Sequence, residues 1–221
     1  LMSNYALAIK NSFYSKTCTM HKIYLALLLL ASALFADAQP LLQWAKNIGG
    51  SRGDEIKTDA AGNVYTVGYF SGVADFDPGP GTFYLTADGG GADDAYVSKL
   101  DVNGNFVWAA RLGGDATNYN FSIEIDAAGN VYSVGYFSGT VDFDPGPGVF
   151  NLTTNGQSDI SISKLDAAGN FIWGKRIGGT LGEFAYAMLI DQAGNLCITG
   201  VFNGIVDFDP GPLVFNLDGN G

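Results

Sequence analysis

From residue 49 onward, apolar side chains come in short runs that alternate with polar ones and stop at Gly, Asn or Asp. The runs have a period of two and end long before a helix of ordinary length would, so they predict strands. Ser122–Asp126 reads as one strand, Ala127–Asn130 as a turn and Val131–Phe137 as the next strand. Ile160–Asp166, Ala167–Asn170 and Phe171–Arg176 repeat that hairpin. Gly129 and Asn130 suit backbone angles that bulkier residues resist, and the Asp126 side chain is placed to accept from the turn amides. In Val131–Phe137 both alternating sets are apolar or aromatic: Val131 and Phe137 on one face, Tyr132, Val134 and Tyr136 on the other. A strand apolar on both faces lies between two layers.

The pattern recurs. Trp44, Trp108 and Trp173 stand 64 and 65 residues apart. Between them WAKNIGG, WAARLGG and WGKRIGG match, as do DAAGNVYTVGYFSG, DAAGNVYSVGYFSG and DQAGNLCITGVFNG, and ADFDPGPGTFYL, VDFDPGPGVFNL and VDFDPGPLVFNL. One supersecondary unit is therefore present three times, in units of about 49–112, 113–177 and 178–221. Each full unit supplies two hairpins, hence four antiparallel strands. Sheets of that kind, each covered on both faces by the neighbouring copies, are the blades of a β-propeller, and the expected class is all-β.

The phrases IEIDAAGNVYSVGYF and ISISKLDAAGNFIWGKRIGG resemble bacterial β-propeller repeats of the SBBP type and, more loosely, NHL-type blades, in which Asp-x-x-Gly-Asn turns join paired strands. The resemblance covers residues 41–221 and implies an exported or cell-surface propeller; it implies no activity. These units are longer than a blade of about 40–50 residues. The surplus lies in DFDPGPG and the strand-like segment after it, which is expected to form a protruding loop or a small extra hairpin on one rim. A closed ring needs at least about four blades. Residues 39–221 are accordingly expected to be an incomplete ring of about two and a half blades. Leu41–Ile48 would be the last strand of a preceding blade, and the open strand edges would favour association.

The N-terminus reads differently. From Met20, the basic pair His21 and Lys22 precedes an apolar run over 23–36 and the small-residue triplet Ala36-Asp37-Ala38, which has the anatomy of a secretory signal peptide cleaved before Gln39. The run is shorter than the ~20 residues of a membrane-spanning helix. No Cys follows it to take a lipid. The residues before Met20 are either an extended n-region from Met2 or upstream translated sequence. The expected location is secreted or cell-surface, with no stable membrane insertion after cleavage.

Composition narrows the chemistry. Glycine contributes 31 of 221 residues without a three-residue period, while 47% hydrophobic and 13% aromatic content is too high for a disordered chain. Acidic residues outnumber basic ones 22 to 11. Losing 1–38 removes Lys10, Lys16 and Lys22 against only Asp37, so the rest is more acidic still, and nucleic acid is excluded as a partner. His21 and Cys18 go as well, leaving no histidine and one thiol, Cys197. No internal disulfide, Ser-His or Cys-His pair or His-ligated zinc site is then possible.

The pairs Asp75 and Asp77, Asp142 and Asp144, and Asp207 and Asp209 are candidate calcium ligands, since residues two apart on an extended segment face one side. The competing reading is a structural loop anchored by Phe76, Phe143 or Phe208, with Pro78 and Gly79 in a type II turn. Asp59, Asp101, Asp126, Asp166 and Asp191 read as turn-formers, the tryptophans as inter-blade packing, and Cys197 as a small buried filler. Every carboxylate pair recurs equally in all copies, which argues for architecture over a singular active site. The expected function is a non-enzymatic, exported module that binds an unknown protein or glycan or acts structurally. The alternative is a secreted carbohydrate-active enzyme whose catalytic residues lie in further blades.

Overall fold

The computed structural model describes residues 42–88 and 91–219; the signal peptide expected over 1–38 lies outside the described residues. Every described regular element is a strand. The first unit contains β1 (Gly49–Thr58), β2 (Val64–Asp75), the short β3 (Tyr84–Thr86), β4 (Asp94–Leu100) and β5 (Phe106–Gly114). Its main strands lie in the order β1-β2-β4-β5, all antiparallel. The second unit repeats this with β6 (Asn118–Ile125), β7 (Val131–Phe137), the short pair β8 (Thr140–Asp142) and β9 (Asn151–Thr153), β10 (Asp159–Leu165) and β11 (Phe171–Ile177), in the order β6-β7-β10-β11. The third shows β12 (Phe184–Ile190) paired with β13 (Leu196–Val201), then β14 (Ile205–Asp207) paired with β15 (Asn216–Asp218). No described sheet closes on itself.

Each main hairpin turns on the same chemistry. The Asp126 carboxylate accepts from the backbone N–H groups of Ala128 and Asn130 and from the Asn130 side chain, at 2.7–2.9 Å. Gly129 takes a φ of 83° and donates to Asp126 O at 2.9 Å. Asp59, Asp101, Asp166 and Asp191 hold matching turns, as their spacing predicts. Hydrogen bonds from the partner Asn side chain and backbone lower the pKa of Asp101, Asp166 and Asp191. At Asp59 and Asp126 partial burial pulls upward, but the Asn and Tyr donors outweigh it and the net direction is down.

The core lies between the sheets. Tyr65, Val67, Val97 and Leu112 of the first blade meet Ile123, Val131, Phe137 and Leu165 of the second in one buried cluster. The opposite face of the second blade packs Val134, Ile160 and Ile162 against Ala185 and Met188 of the third. β7 is thus buried on both faces, with the predicted division of side chains.

The first strands of successive blades run side by side and define the inner edge. Ile123 N–H donates to Glu55 Oε2 at 2.7 Å, and one blade on, Met188 N–H donates to Ser122 Oγ at 3.0 Å. Lys57 bridges to Glu124 at 3.0 Å. Each inner strand carries a bulge, between Gly53 and Glu55, Asn120 and Ser122, and Ala185 and Ala187. Opposite it stands Gly68, Gly135 or Gly200, where a Cβ would collide with the carbonyl of Arg52, Tyr119 or Phe184.

Two expectations change. Leu42–Ile48 forms no ladder, because the strand it would pair with is not among the described residues. It nevertheless occupies a fourth-strand place: Trp44 Nε1 donates to Val102 O at 3.2 Å, as Trp108 Nε1 does to Ala167 O one blade on, and Ile48 is buried. Cys197 is exposed and not a buried filler, because no described strand covers the face of β13 that carries it.

The close approach at the bulge gives a direct test. Gly135→Ala is expected to destabilise the protein by about 2–4 kcal/mol, since backbone and not a side chain must move. Ser133→Ala on the same strand, losing one hydroxyl contact, is expected to cost roughly 1 kcal/mol. Denaturant midpoints of the two variants check the ranking.

Candidate functional site

The long DFDPGPG segments form the small extra hairpins expected of them, arms with exposed tips and buried bases. Each arm reaches back to the end of the preceding outer strand: Asp75 pairs with Gly49, Asp142 with Gly113 and Asp207 with Gly178. Outer strands diverge while inner strands converge, and the arm fills the wedge between them. Phe143 is fully buried in the inter-blade cluster, and Phe150 packs on Phe171 at 4.8 Å. Phe76 and Phe83 repeat this one unit earlier, with Phe83 4.8 Å from Phe106.

The paired aspartates hold the arms in shape. Asp142 Oδ1 accepts from Asp144 N–H at 3.0 Å and Phe150 N–H at 2.8 Å, while Asp144 Oδ1 accepts from Gly146 N–H at 2.8 Å. Asp75 and Asp77 make the same set, as do Asp207 and Asp209. The two amide donors lower the pKa of Asp207. The tip is not a type II turn, because Gly79 does not take the positive φ that turn requires. Pro80 follows it, and a residue before proline is pushed to extended angles, so the Asp77 carboxylate closes the turn instead. The three pairs stay in separate arms, and among the described residues no group of three or more His, Cys, Asp or Glu side chains converges.

The recurring Arg and Gly-Gly also have a structural partner, one that sequence reasoning missed. Asp94 and Asp159 are fully buried, each bound by an arginine of the adjacent outer strand: Arg111 Nη1 to Asp94 Oδ2 at 2.9 Å and Arg176 Nη1 to Asp159 Oδ2 at 2.7 Å. A Cβ at Gly113 or Gly178 would collide with these carboxylates. Burial raises the pKa of Asp94 against the opposing pull of the Asp88 amide and Arg111. The signal was present in the sequence, since Asp and Arg recur 17 residues apart in both complete units.

The tryptophans pack between blades as expected. Across the interface Gly104 and Gly169 make room for Trp44 and Trp108, while within a blade Trp108 meets Tyr65 and Trp173 meets Tyr132, each at 6.1 Å. Each of these tyrosines also donates to its turn aspartate and lies under a lysine, Lys99 at 4.9 Å and Lys164 at 4.6 Å.

One set of positions that differ between copies is gathered at the inner edge. At the start of the inner strands, matching positions hold Arg52, Tyr119 and Phe184, then Asp54, Phe121 and Tyr186. Together with Tyr69 and Tyr136 they form a continuous aromatic row across three blades. Tyr69 meets Tyr119 at 4.3 Å, Phe121 meets Tyr136 at 5.7 Å and Tyr186 at 6.2 Å, and Tyr136 meets Phe184 at 4.6 Å. Arg52 lies over the Tyr69 ring and donates to its hydroxyl at 2.9 Å; Tyr119 donates to Asp93 at 2.9 Å. The row is half-buried, with Tyr186 more than half exposed. Alternation along one strand does not show that rings from three blades meet.

No protein-family profile matches the chain. Over 117 residues it is 27% identical to an uncharacterized WD repeat-containing protein of Acanthamoeba polyphaga mimivirus. That stretch is 47% of this chain and 8% of the viral protein, so the chain spans a small part of that relative's length. Matching repeats, stacked four-stranded sheets and this similarity agree. The chain is a β-propeller-like repeat module.

Two measurements follow from this geometry. Arg111→Ala leaves the Asp94 carboxylate buried without its cation and is expected to cost about 3–5 kcal/mol in denaturant unfolding. Millimolar calcium is expected to leave the thermal midpoint unchanged, because backbone N–H groups already fill Oδ1 of both aspartates in each arm. A rise of several degrees would assign the arms as cation sites.

Proposed function

We propose that this module belongs to an exported, non-enzymatic propeller of the bacterial SBBP type and binds a protein or glycan ligand through the aromatic row at the start of its inner strands. One observation carries this reading: at two matching positions at the start of the inner strands the copies carry different side chains, and these meet on one half-exposed surface. Arg52, Tyr119 and Phe184 differ at one matching position, and Asp54, Phe121 and Tyr186 at another. Shape and packing need sameness from blade to blade; recognition of one ligand needs difference. Half-exposed tyrosine and phenylalanine rings with hydroxyl, carboxylate and guanidinium groups at their margin offer both contact area and directional polar contacts. Export rests on the apolar run over 23–36 and the Ala36-Asp37-Ala38 site.

The test uses the chain expressed with its own N-terminus in a bacterial host. The recovered product is expected outside the cytoplasm, beginning at Gln39. Screened against immobilised defined oligosaccharides and a peptide array, it is expected to retain a probe that the Tyr119→Ala/Phe121→Ala variant loses by at least about tenfold, the loss of one to two hot-spot contacts. An uncleaved cytoplasmic product overturns export. Binding unaffected by the double substitution, or no retained probe, overturns the assignment of the surface.

A further inference from the structure

The connection from each outer strand to the next inner strand buries one polar side chain at a fixed place. In successive copies it is Ser51, Asn118 and Glu183, at 2%, 0% and 0% exposure. The first two do the same job as donors. Ser51 Oγ donates to Ile48 O at 3.1 Å, and Asn118 Nδ2 donates to Leu112 O at 2.9 Å. Both acceptors are the carbonyl just before Gly-Gly, and the matching carbonyl in the third copy belongs to Ile177. An ionised carboxylate has no proton to donate there.

Glu183 also sits beside a second buried carboxylate. Its Oε2 accepts from Gly179 N–H at 2.8 Å, while Asp159 lies against the neighbouring Gly178. Glu183 Oε1 and Asp159 Oδ1 are both buried without a hydrogen-bond partner. Asp159 has its own cation, since Arg176 binds its other oxygen at 2.7 Å. The other charged groups close by do not serve Glu183: Lys175 reaches Pro210 O, and Asp207 of β14, bridged to Gly178, is itself acidic. Two adjacent buried carboxyl groups, of which Asp159 alone is bound by an arginine, cannot both ionise cheaply.

We propose that Glu183 is held as the neutral acid, its Oε1–H supplying the donor that Ser51 and Asn118 supply elsewhere, so that a single proton secures the junction of the second and third blades. Loss of that proton places a second negative charge beside Asp159 and loosens the junction. The net direction of the Glu183 pKa agrees: burial raises it, the Gly179 amide opposes, Asp159 raises it further and the Asn203 amide opposes. A carboxyl group whose folded pKa is raised contributes its full stability below its unfolded value, about 4.3, and loses it as pH rises through the folded value.

The test compares the full chain with Glu183→Gln, which keeps the shape and carries the donor at every pH. The two thermal midpoints are expected to coincide near about pH 4, with the variant pulling ahead by several degrees by about pH 8. In infrared spectra near about pH 7, above the usual titration of carboxylates, a protonated-carboxyl band is expected in the parent protein and absent from the variant. A variant less stable than the parent at neutral pH, a midpoint difference that does not change with pH, or spectra without the band would overturn the proposal.

Discussion

A β-sheet that is apolar on both faces must be covered twice, and almost everything in this molecule follows from that requirement. Val131 and Phe137 reach back to the first blade while Val134 reaches forward to the third, so the second blade is stable only between its neighbours. Stacking twisted sheets around an axis brings their first strands together and drives their last strands apart. The inner strands answer with direct hydrogen bonds from blade to blade, at Glu55 and Ser122. The outer strands answer with the arm, which brings Phe143 into the gap and pairs its backbone with the Gly-Gly end of the strand before it. The unusual length of the repeat is the material for that wedge.

The acidic residues fall into groups set by what they satisfy. Turn aspartates such as Asp126 accept backbone and asparagine N–H groups; arm aspartates such as Asp142 fold the loop onto itself. Asp94 and Asp159 are buried and held by arginines. None of these assignments differs between the copies that contain it, which is the mark of architecture. The inner rim is where the copies part company, in ring identity and in charge, and there a single surface gathers contributions from three blades. Buried Glu183 is another departure, and it too lies at a junction between blades.

Much of this was legible in the residues. Period-two alternation located β7, β10 and β11 almost to the residue, because a half-turn per residue leaves a clear mark on which side chains are apolar. The Asp-x-x-Gly-Asn turns were legible because their hydrogen bonds close within five residues. The arms were legible as extra hairpins but not as straps, since their pairing partner belongs to the unit before. The tip of the arm defeated turn rules because Pro80 constrains Gly79 from the far side. Cys197 was misplaced because burial in a repeat depends on the next blade as well as on the strand itself.

The sequence by itself determined the local grammar of this protein: strands, turns, the repeat and the acidic surface, each governed by neighbours a few residues away. Tertiary structure alone decided the burial of Asp94 and Asp159, the seating of each arm and the meeting of Tyr69, Tyr119, Phe121 and Tyr186 in one row. The physical reason is distance along the chain. Contacts between residues tens of positions apart depend on how sheets stack and twist, and hydrophobic attraction, having no direction of its own, leaves that choice to the packing of the whole.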